Sequence, residues 1–510
     1  MPKKYAVIGK HVSHSLSPEL HSVFAKYTSG YEYGRLDLEE DELEGVIKNT
    51  EYSGFNVTSP YKRAVIPFLD ELSDLARELQ AVNTILRRPD GTLYGDNTDV
   101  YGFEQMMDAS RVAGRKVLVL GSGGACSAIC KALQNMGAAN IIIVSRHARE
   151  EEGFCTYEEL PNHLDANVVV NATPIGMYPE NGQSPMDGAP VKFEDFKELE
   201  SVFDAIYNPY RTQILLDAER AGAHTKSGLT MLVYQGLRSA QIWGEVPKSG
   251  MGFRQDKTRR QEGKRRGNEH RKGFYRKGTP IDLGKEAMRR ILRNQLNIVV
   301  VGMPGSGKSA ISRQVAICMK RPFVDADRKF REMYDIPPSK MLLERGEAYF
   351  RECESKVLRE ICREKGQVIA TGGGAVVKKS NFDILRENSV VLYLKRPVEF
   401  LSIKGRPISA KVGVEELYRQ RREKYETVAD LTIENNQYFG ARKEGKNRKP
   451  AQDARRASAT DSPSRSSSGS SAHSSPRSAV RQDDYMADIR RFAIQIRREI
   501  GRYMDENLDY

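Results

Sequence analysis

The chain has 510 residues, too many for one hydrophobic core, so two or more domains are expected. No run of about 18 apolar residues occurs, which argues against a membrane-spanning helix. The net charge of +12 resides in two stretches: 248–280 holds 12 Lys/Arg against 3 Asp/Glu, and 441–482 holds 10 against 3. The rest is slightly acidic, so no folded domain carries the charge of a nucleic-acid binder.

The opening "MPKKYAVIGK" enters a strand pattern directly, without the apolar segment of a signal peptide, and a cytoplasmic location is expected. Strands are expected at 5–9, 33–37, 54–58, 116–121, 141–145, 167–173 and 201–207, alternating with helix-length amphipathic segments. That alternation predicts parallel α/β architecture. The six cysteines, at 126, 130, 155, 318, 353 and 362, form no CxxC pair and no cluster with histidine, so they are expected to be reduced and structural.

In the first block, "NVTSPYK" sets Lys62 just past a strand and "GDNTD" supplies Asp99. A lysine facing a carboxylate serves as acid or base while its partner holds it in place. Spacing alone leaves the pair a candidate beside an ordinary surface lysine. Further on, "KVLVLGSGGACSAICKAL" runs strand, glycine turn, helix, the arrangement that turns backbone N–H groups toward a pyrophosphate. Gly121, Ser122, Gly123, Gly124 and Ala125 form the loop, and Cys126 breaks a full GxGxxG, so a plain tight turn competes. The next strand ends in Ser145 and Arg146, where an NAD site would carry Asp or Glu. A cation there suits a 2′-phosphate and favours NADP(H), the alternative being a solvated surface charge.

Residues 1 to about 247 resemble shikimate dehydrogenase along their whole length, through "HSLSPELH", "GFNVTSPYK", "AVNT", "GDNTDVYGF", "GSGGA", "NATPIGM", "DAIYNP" and "GLTMLVYQG" in order. The resemblance implies a substrate-binding domain at 1–105, completed by about 225–247, and a Rossmann NADP-binding domain at 106–224. It implies that Lys62 and Asp99 are the catalytic pair, that Ser15, Ser17, Thr58, Asn83, Tyr207 and Gln235 hold the substrate with them, and that Gly228 joins the NADP site. Ser145-Arg146-His147 stands where the family has Asn-Arg-Thr, and Arg149 is displaced from the usual basic position.

The basic stretch that follows has few apolar residues, and 248–290 is expected to be a flexible linker. The second block carries strands at 297–302, 322–326, 367–372, 390–394 and 431–435. "NIVVVGMPGSGKSA" is a strand followed by GxxxxGK[ST]. Gly305, Ser306, Gly307, Lys308, Ser309 and Ala310 are the ATP-binding set, with Lys308 reaching phosphate oxygens and Ser309 ligating Mg²⁺. In "FVDADRKF" a strand would point Asp325 and Asp327 the same way, one supporting Mg²⁺ and the other taking a hydroxyl proton. Arg351 and Arg421 are candidate carboxylate clamps, and "TGGGA" offers bare backbone to a ring.

Residues from about 294 to 508 resemble shikimate kinase, through the phosphate loop, "DADRKF", "FRECES", "TGGGA", "KGRP" and "RREKYETVAD". The resemblance implies a P-loop α/β domain in which Asp327, Arg351, Gly373 and Arg421 bind shikimate and Arg406 closes over ATP as a lid residue. Ala310 stands where Thr is usual, 421–425 lacks the common proline, and Arg406 precedes Arg421 by only 15 residues, a short lid. The Ser-rich stretch within 441–482 is expected to be a disordered insertion. Ile489, Phe492, Ile496, Ile500 and Tyr503 then mark one face of a helix that either closes the second domain or binds a partner.

Taken together, the resemblances imply NADPH-dependent reduction of 3-dehydroshikimate to shikimate, then its phosphorylation by ATP with Mg²⁺. The linker is expected to act as a simple tether rather than a channel. The expected partners are these small molecules, with no membrane and no specific nucleic acid. One competing assignment is a quinate/shikimate dehydrogenase joined to an inactive kinase, opposed by Arg146 and the intact Lys308, Asp327 and Arg351. The other is a regulator built from pathway domains, opposed by connectors without a recognition helix.

Overall fold

A computed structural model describes residues 2–28, 30–147, 153–247, 251–252, 281–401, 412–436 and 476–507. The first sheet has the order β2-β1-β3-β5-β6-β4, built from β1 (Lys4–Gly9), β2 (Glu32–Asp37), β3 (Gly54–Val57), β4 (Glu71–Leu72), β5 (Thr84–Arg87) and β6 (Leu93–Asp96). β1 runs parallel to β2 and β3, but β5 is antiparallel to both β3 and β6. This sheet is therefore mixed rather than parallel as expected. Its cause is the "RPDGT" turn, where Gly91 takes φ 91° and the Asp90 carboxylate accepts from the Thr92 amide at 3.0 Å. The two strands fold back as a hairpin.

The second sheet is all parallel, in the order β12-β11-β10-β7-β8-β9. Its strands are β7 (Lys116–Leu120), β8 (Asn140–Ser145), β9 (Phe154–Thr156), β10 (Val168–Asn171), β11 (Ser201–Asp204) and β12 (His224–Lys226). This is the doubly wound order, with its switch point between β7 and β10, where nucleotides bind at the carboxyl ends of strands. α1 (Ser17–Tyr27) flanks the first sheet. α2 (Asp99–Met106) and α3 (Cys126–Asn135) share a core through Phe103 and Ile129. α4 (Gln213–Arg220) covers β11 and β12, and α5 (Leu229–Ile242) packs along α2 and returns to the first sheet. α2 and α5 thus join two lobes, one built on each sheet.

Met251–Gly252 and Ile281–Asp282 pair as two short antiparallel strands, β13 and β14. Of the segment expected to be a linker, 248–250 and 253–280 lie outside the described residues. Its last part, 283–290, departs from that expectation because it belongs to α6 (Leu283–Gln295). The Asp282 carboxylate caps α6 by accepting from Lys285 N at 3.1 Å. Leu283, Ala287, Met288, Ile291 and Leu292 form its buried stripe.

The third sheet, β16-β17-β15-β18-β19, is again parallel. It comprises β15 (Asn297–Val301), β16 (Phe323–Asp325), β17 (Val368–Ala370), β18 (Ser389–Lys395) and β19 (Leu431–Glu434). Its helices include α7 (Lys308–Met319), α8 (Ala326–Tyr334), α9 (Glu347–Arg363), α10 (Asn381–Arg386) and α11 (Val414–Val428). The last helix, α12 (Pro476–Asn507), buries Ile489, Phe492, Ile496 and Ile500 and packs on α7, closing this unit instead of standing free for a partner. Residues 476–482, expected to be disordered, form its first turns, and 437–475 lie outside the described residues.

The two units are not loosely tethered. α6 packs on α1 and α5 of the first and on α12 of the second. One hydrophobic core runs continuously from Leu20 and Val233 through Ile291 and Leu292 to Ile298 and Phe492.

Candidate active sites

In the first unit Lys62 lies in the turn after β3 and Asp99 is the first residue of α2. The Lys62 Nζ meets Asp99 Oδ2 at 2.6 Å, with the carboxylate buried and the ammonium reached by solvent. The other carboxylate oxygen accepts from Asn83 Nδ2 at 2.7 Å, and the α2 N-terminus favours its negative charge. Asn83 is itself anchored, its Oδ1 accepting from Thr98 N at 2.8 Å. Gln235 Oε1 stands 3.5 Å from Asn83 Nδ2 and from Thr98 Oγ1. Lys62, Asn83, Asp99 and Gln235 are therefore one constellation.

A second group lies at the start of α1. Ser15 and Ser17 are buried with their hydroxyls 3.2 Å apart, and Arg35 Nε donates to the Ser15 carbonyl at 3.1 Å. Tyr207 sits against Ser15 and Leu16, and burial pushes its hydroxyl up. Thr58 directly follows β3, its amide donating to the Ile8 carbonyl at 2.9 Å. Its methyl group packs so closely on Gly9 that a Cβ there would stand 2.4 Å away. Asn97, Thr98 and Arg35 were not singled out from sequence. The first two sit inside "GDNTD" itself, where Asn97 Oδ1 accepts from the Asp99 amide at 3.0 Å.

The glycine loop spans the switch point. Gly121 takes φ 98°, and a Cβ there would lie 2.6 Å from the Thr173 methyl carbon. Ser122, Gly123 and Gly124 are exposed ahead of α3, so their backbone is open to a ligand. Ser145 is buried at the end of β8, and Arg146 is exposed beside it. Gly228 precedes α5, where a Cβ would lie 2.1 Å from the Ala205 carbonyl oxygen. These features fit a dinucleotide whose pyrophosphate meets backbone N–H groups. Arg149 lies outside the described residues.

In the second unit the phosphate loop wraps the Lys308 ammonium, which donates to the Gly302 and Met303 carbonyls at 2.9 Å each. Gly305 and Gly307 take φ 86° and 93°, which favour glycine. Ser306 Oγ and Asn435 Oδ1 are buried without hydrogen-bond partners, as befits a site shaped for a polar ligand. Ser309 and Ala310 open α7 and are exposed.

Asp325 and Asp327 do not share a strand face as expected. Asp325 ends β16 and caps α8, its Oδ1 accepting from Asp327 N at 3.1 Å and Arg328 N at 3.2 Å, while Asp327 stands on the first helical turn. Among the described residues no three His, Cys, Asp or Glu side chains converge to hold a metal. The hydroxyl of Ser309 and the remaining oxygen of Asp325 are hard donors that suit Mg²⁺ shared with phosphate.

Beyond the loop lies a cluster of polar side chains. Arg351 is buried, its Nη1 donating to Glu354 Oε2 at 2.7 Å and its Nη2 to Glu347 Oε1 at 3.0 Å. Arg421 Nη1 donates to the Gly373 carbonyl at 3.1 Å, and the Tyr425 hydroxyl donates to the same oxygen. Asp327 Oδ1 and Glu354 Oε1 border Gly372, 3.0 and 3.2 Å from where its Cβ would stand. Burial and the Asp325 carboxylate push the Asp327 carboxyl up, and burial does the same to Glu354. Asp327, Arg351, Gly373 and Arg421 are thus brought together, with Glu354 and Tyr425 as members sequence reasoning missed. Arg406 lies outside the described residues.

Residues 7–85 match the family model of the shikimate dehydrogenase substrate binding domain, and residues 304–440 match that of shikimate kinase. A shikimate dehydrogenase (NADP(+)) from Pyrococcus abyssi is 39% identical over 253 residues, which is 47% of this chain and 92% of that protein. One from Clostridium beijerinckii is 35% identical over 254 residues, again 47% and 92%. Among solved structures, a chorismate mutase/shikimate 5-dehydrogenase fusion protein from Clostridium acetobutylicum shares 34% identity over 48% of this chain and 92% of its own, with a TM-score of 0.45.

Proposed function

Since the chain belongs to the shikimate dehydrogenase family and its second unit matches shikimate kinase, it is a bifunctional shikimate-pathway enzyme, and we propose how its residues divide the work. 3-Dehydroshikimate is reduced to shikimate in the first unit, and shikimate becomes shikimate 3-phosphate in the second. The observation that carries the first step is the Lys62–Asp99 pair at 2.6 Å, steadied by Asn83.

When bound, NADPH supplies the hydride, and ATP with Mg²⁺ supplies a charge-neutralised phosphoryl group. Lys62, held by Asp99, donates the proton that the ketone oxygen takes up as it becomes a hydroxyl. Ser15, Ser17, Thr58, Asn83, Tyr207 and Gln235 orient the acid. Gly121 to Ala125 present backbone N–H groups to the pyrophosphate, Gly228 leaves room beside it, and Ser145 and Arg146 receive the 2′-phosphate.

In the second unit Gly305 to Ala310 cradle phosphates, Lys308 exchanges its two carbonyl partners for phosphate oxygens, and Ser309 and Asp325 serve the metal. Asp327 accepts the proton of the attacking hydroxyl, a role its raised pKa favours. Arg351 and Arg421 clamp the carboxylate over Gly373, and Arg406 covers the triphosphate. No described helix is long and apolar enough to cross a membrane, and a cytoplasmic location completes the proposal.

Supplying 3-dehydroshikimate, NADPH and MgATP together, and following NADPH loss and ADP release, tests both halves. Lys62→Ala should lower NADPH oxidation by about 10²–10⁴-fold and leave ADP release from added shikimate intact. Lys308→Ala should do the reverse. Full phosphoryl transfer by Lys308→Ala, or undiminished reduction by Lys62→Ala, refutes the assignment.

A further inference from the structure

The second unit, together with α6, touches both lobes of the first, the substrate lobe built on the first sheet and the nucleotide lobe built on the second. On the substrate lobe, Asn294 Nδ2 and Gln295 Nε2 at the end of α6 donate to the two oxygens of Glu19 on α1, each at 2.8 Å. On the nucleotide lobe, Arg220 Nη1 of α4 meets Asp383 Oδ1 of α10 at 2.6 Å, and Arg386 Nη2 meets Glu219 Oε2 at 3.0 Å. The Arg211 amide donates to the Glu387 carbonyl at 2.8 Å, and its guanidinium reaches Asp430 at 3.3 Å with both side chains largely buried. Between these anchor points, Leu16 of one lobe and Tyr207 of the other face Leu292 and Lys365 across a seam with only a void of about 10 Å³.

We propose that the kinase unit is a brace for the dehydrogenase unit: bolted to both lobes, it fixes their separation and so the approach of hydride donor to substrate. The proposal rests on the functional assignment above. Lobes joined by two crossing helices are free to hinge, and an ångström of misplacement at a reacting centre costs rate. A third body packed on both lobes removes that freedom. Paired charges that cross the seam resist sliding because separating them leaves a half-buried ion without its partner. In this arrangement the fusion does more than keep two activities on one chain. The second enzyme is structural material for the first.

Asp383 is the place to test this, since it is not one of the site residues of either unit and its carboxylate meets Arg220 and Gln213 of the nucleotide lobe. In the full chain, Asp383→Arg would oppose Arg220, Asp383→Asn would weaken the contact, and Asp383→Glu would keep its charge. The expected result is a graded fall in dehydrogenase kcat, about threefold to tenfold for Arg and less for Asn, with Glu near the parent. KM for shikimate in the kinase assay should stay within about twofold. The primary isotope effect on kcat with deuterated NADPH should rise along the same series, because loosened lobes make hydride transfer more limiting, and a simple loss of folded protein leaves that ratio unmoved. If Asp383→Arg lowers both activities by misfolding, the Asn variant decides. Unchanged dehydrogenase kcat and isotope effect in Asp383→Asn and Asp383→Arg overturn the brace. A parent chain that does not reduce 3-dehydroshikimate at all refutes the functional assignment instead.

Discussion

At Gly374 the Cβ of any other residue would stand 2.1 Å from Arg351 Nη1 and 2.6 Å from Nη2. The glycine gives room to a guanidinium that Glu347 and Glu354 hold in a fixed plane. A planar fork is useful for a carboxylate only if it stays in place. Gly374→Ala should therefore displace Arg351 and raise the kinase KM for shikimate about tenfold or more, equivalent to about 1.4 kcal/mol of lost binding, while leaving dehydrogenase kinetics unchanged. Steady-state ADP release against shikimate concentration checks this. An unaltered KM would remove Arg351 from the clamp.

Among the elements, α6 has the widest reach. Its Ile291 is 1% exposed in a core with contributions from α1, α5, the third sheet and α12. Truncating such a side chain removes transfer free energy and leaves a cavity that rigid neighbours on both sides cannot fill. Ile291→Ala should lower stability by about 2–5 kcal/mol. Because the core is continuous, the dehydrogenase and kinase activities should be lost together on heating, in one transition at a lower temperature than in the parent. Separate inactivation temperatures for the two activities would show that α6 serves only one unit. The helix escaped sequence reading for a physical reason. Five apolar residues at helical spacing sit among Arg289, Arg290 and Arg293 and follow a long basic stretch, so its average composition matches the linker.

Over the whole molecule, the seam between units contains a carboxyl out of its ordinary range. Burial pushes Glu387 up to about 7, with Asp383 reinforcing the shift and Asn181, Arg359 and Arg363 opposing it. An unfolded glutamate titrates near 4.5, so between there and about 7 the native chain holds a proton that the unfolded chain has released. Stability from this group is thus fully present below about 4.5 and is lost as pH rises through about 7. Glu387→Gln should flatten the pH dependence of Tm in that window, and thermal melts from pH 4.5 to 7.5 would reveal it. Identical pH profiles for parent and variant would mean that Glu387 is ionised throughout.

What a reader of the sequence could obtain follows from the range of the interactions. The phosphate loop was legible because its chemistry is contiguous: glycines, Lys308 and Ser309 act within one turn of strand and helix. Most strands of the three sheets were legible for the same reason, as local apolar runs. Lys62 and Asp99 stand 37 positions apart, so the residues alone left them a candidate pair that the family resemblance strengthened before the fold set them side by side. Glu354, Tyr425 and Arg35 left no local signal, since each matters through a neighbour that the chain reaches only after folding. The positions of Asp325 as a helix cap, of α6 as a shared core helix and of one unit against both lobes of the other were decided by tertiary packing alone. Periodicity along the sequence records which face of an element is apolar, but not what body will cover it.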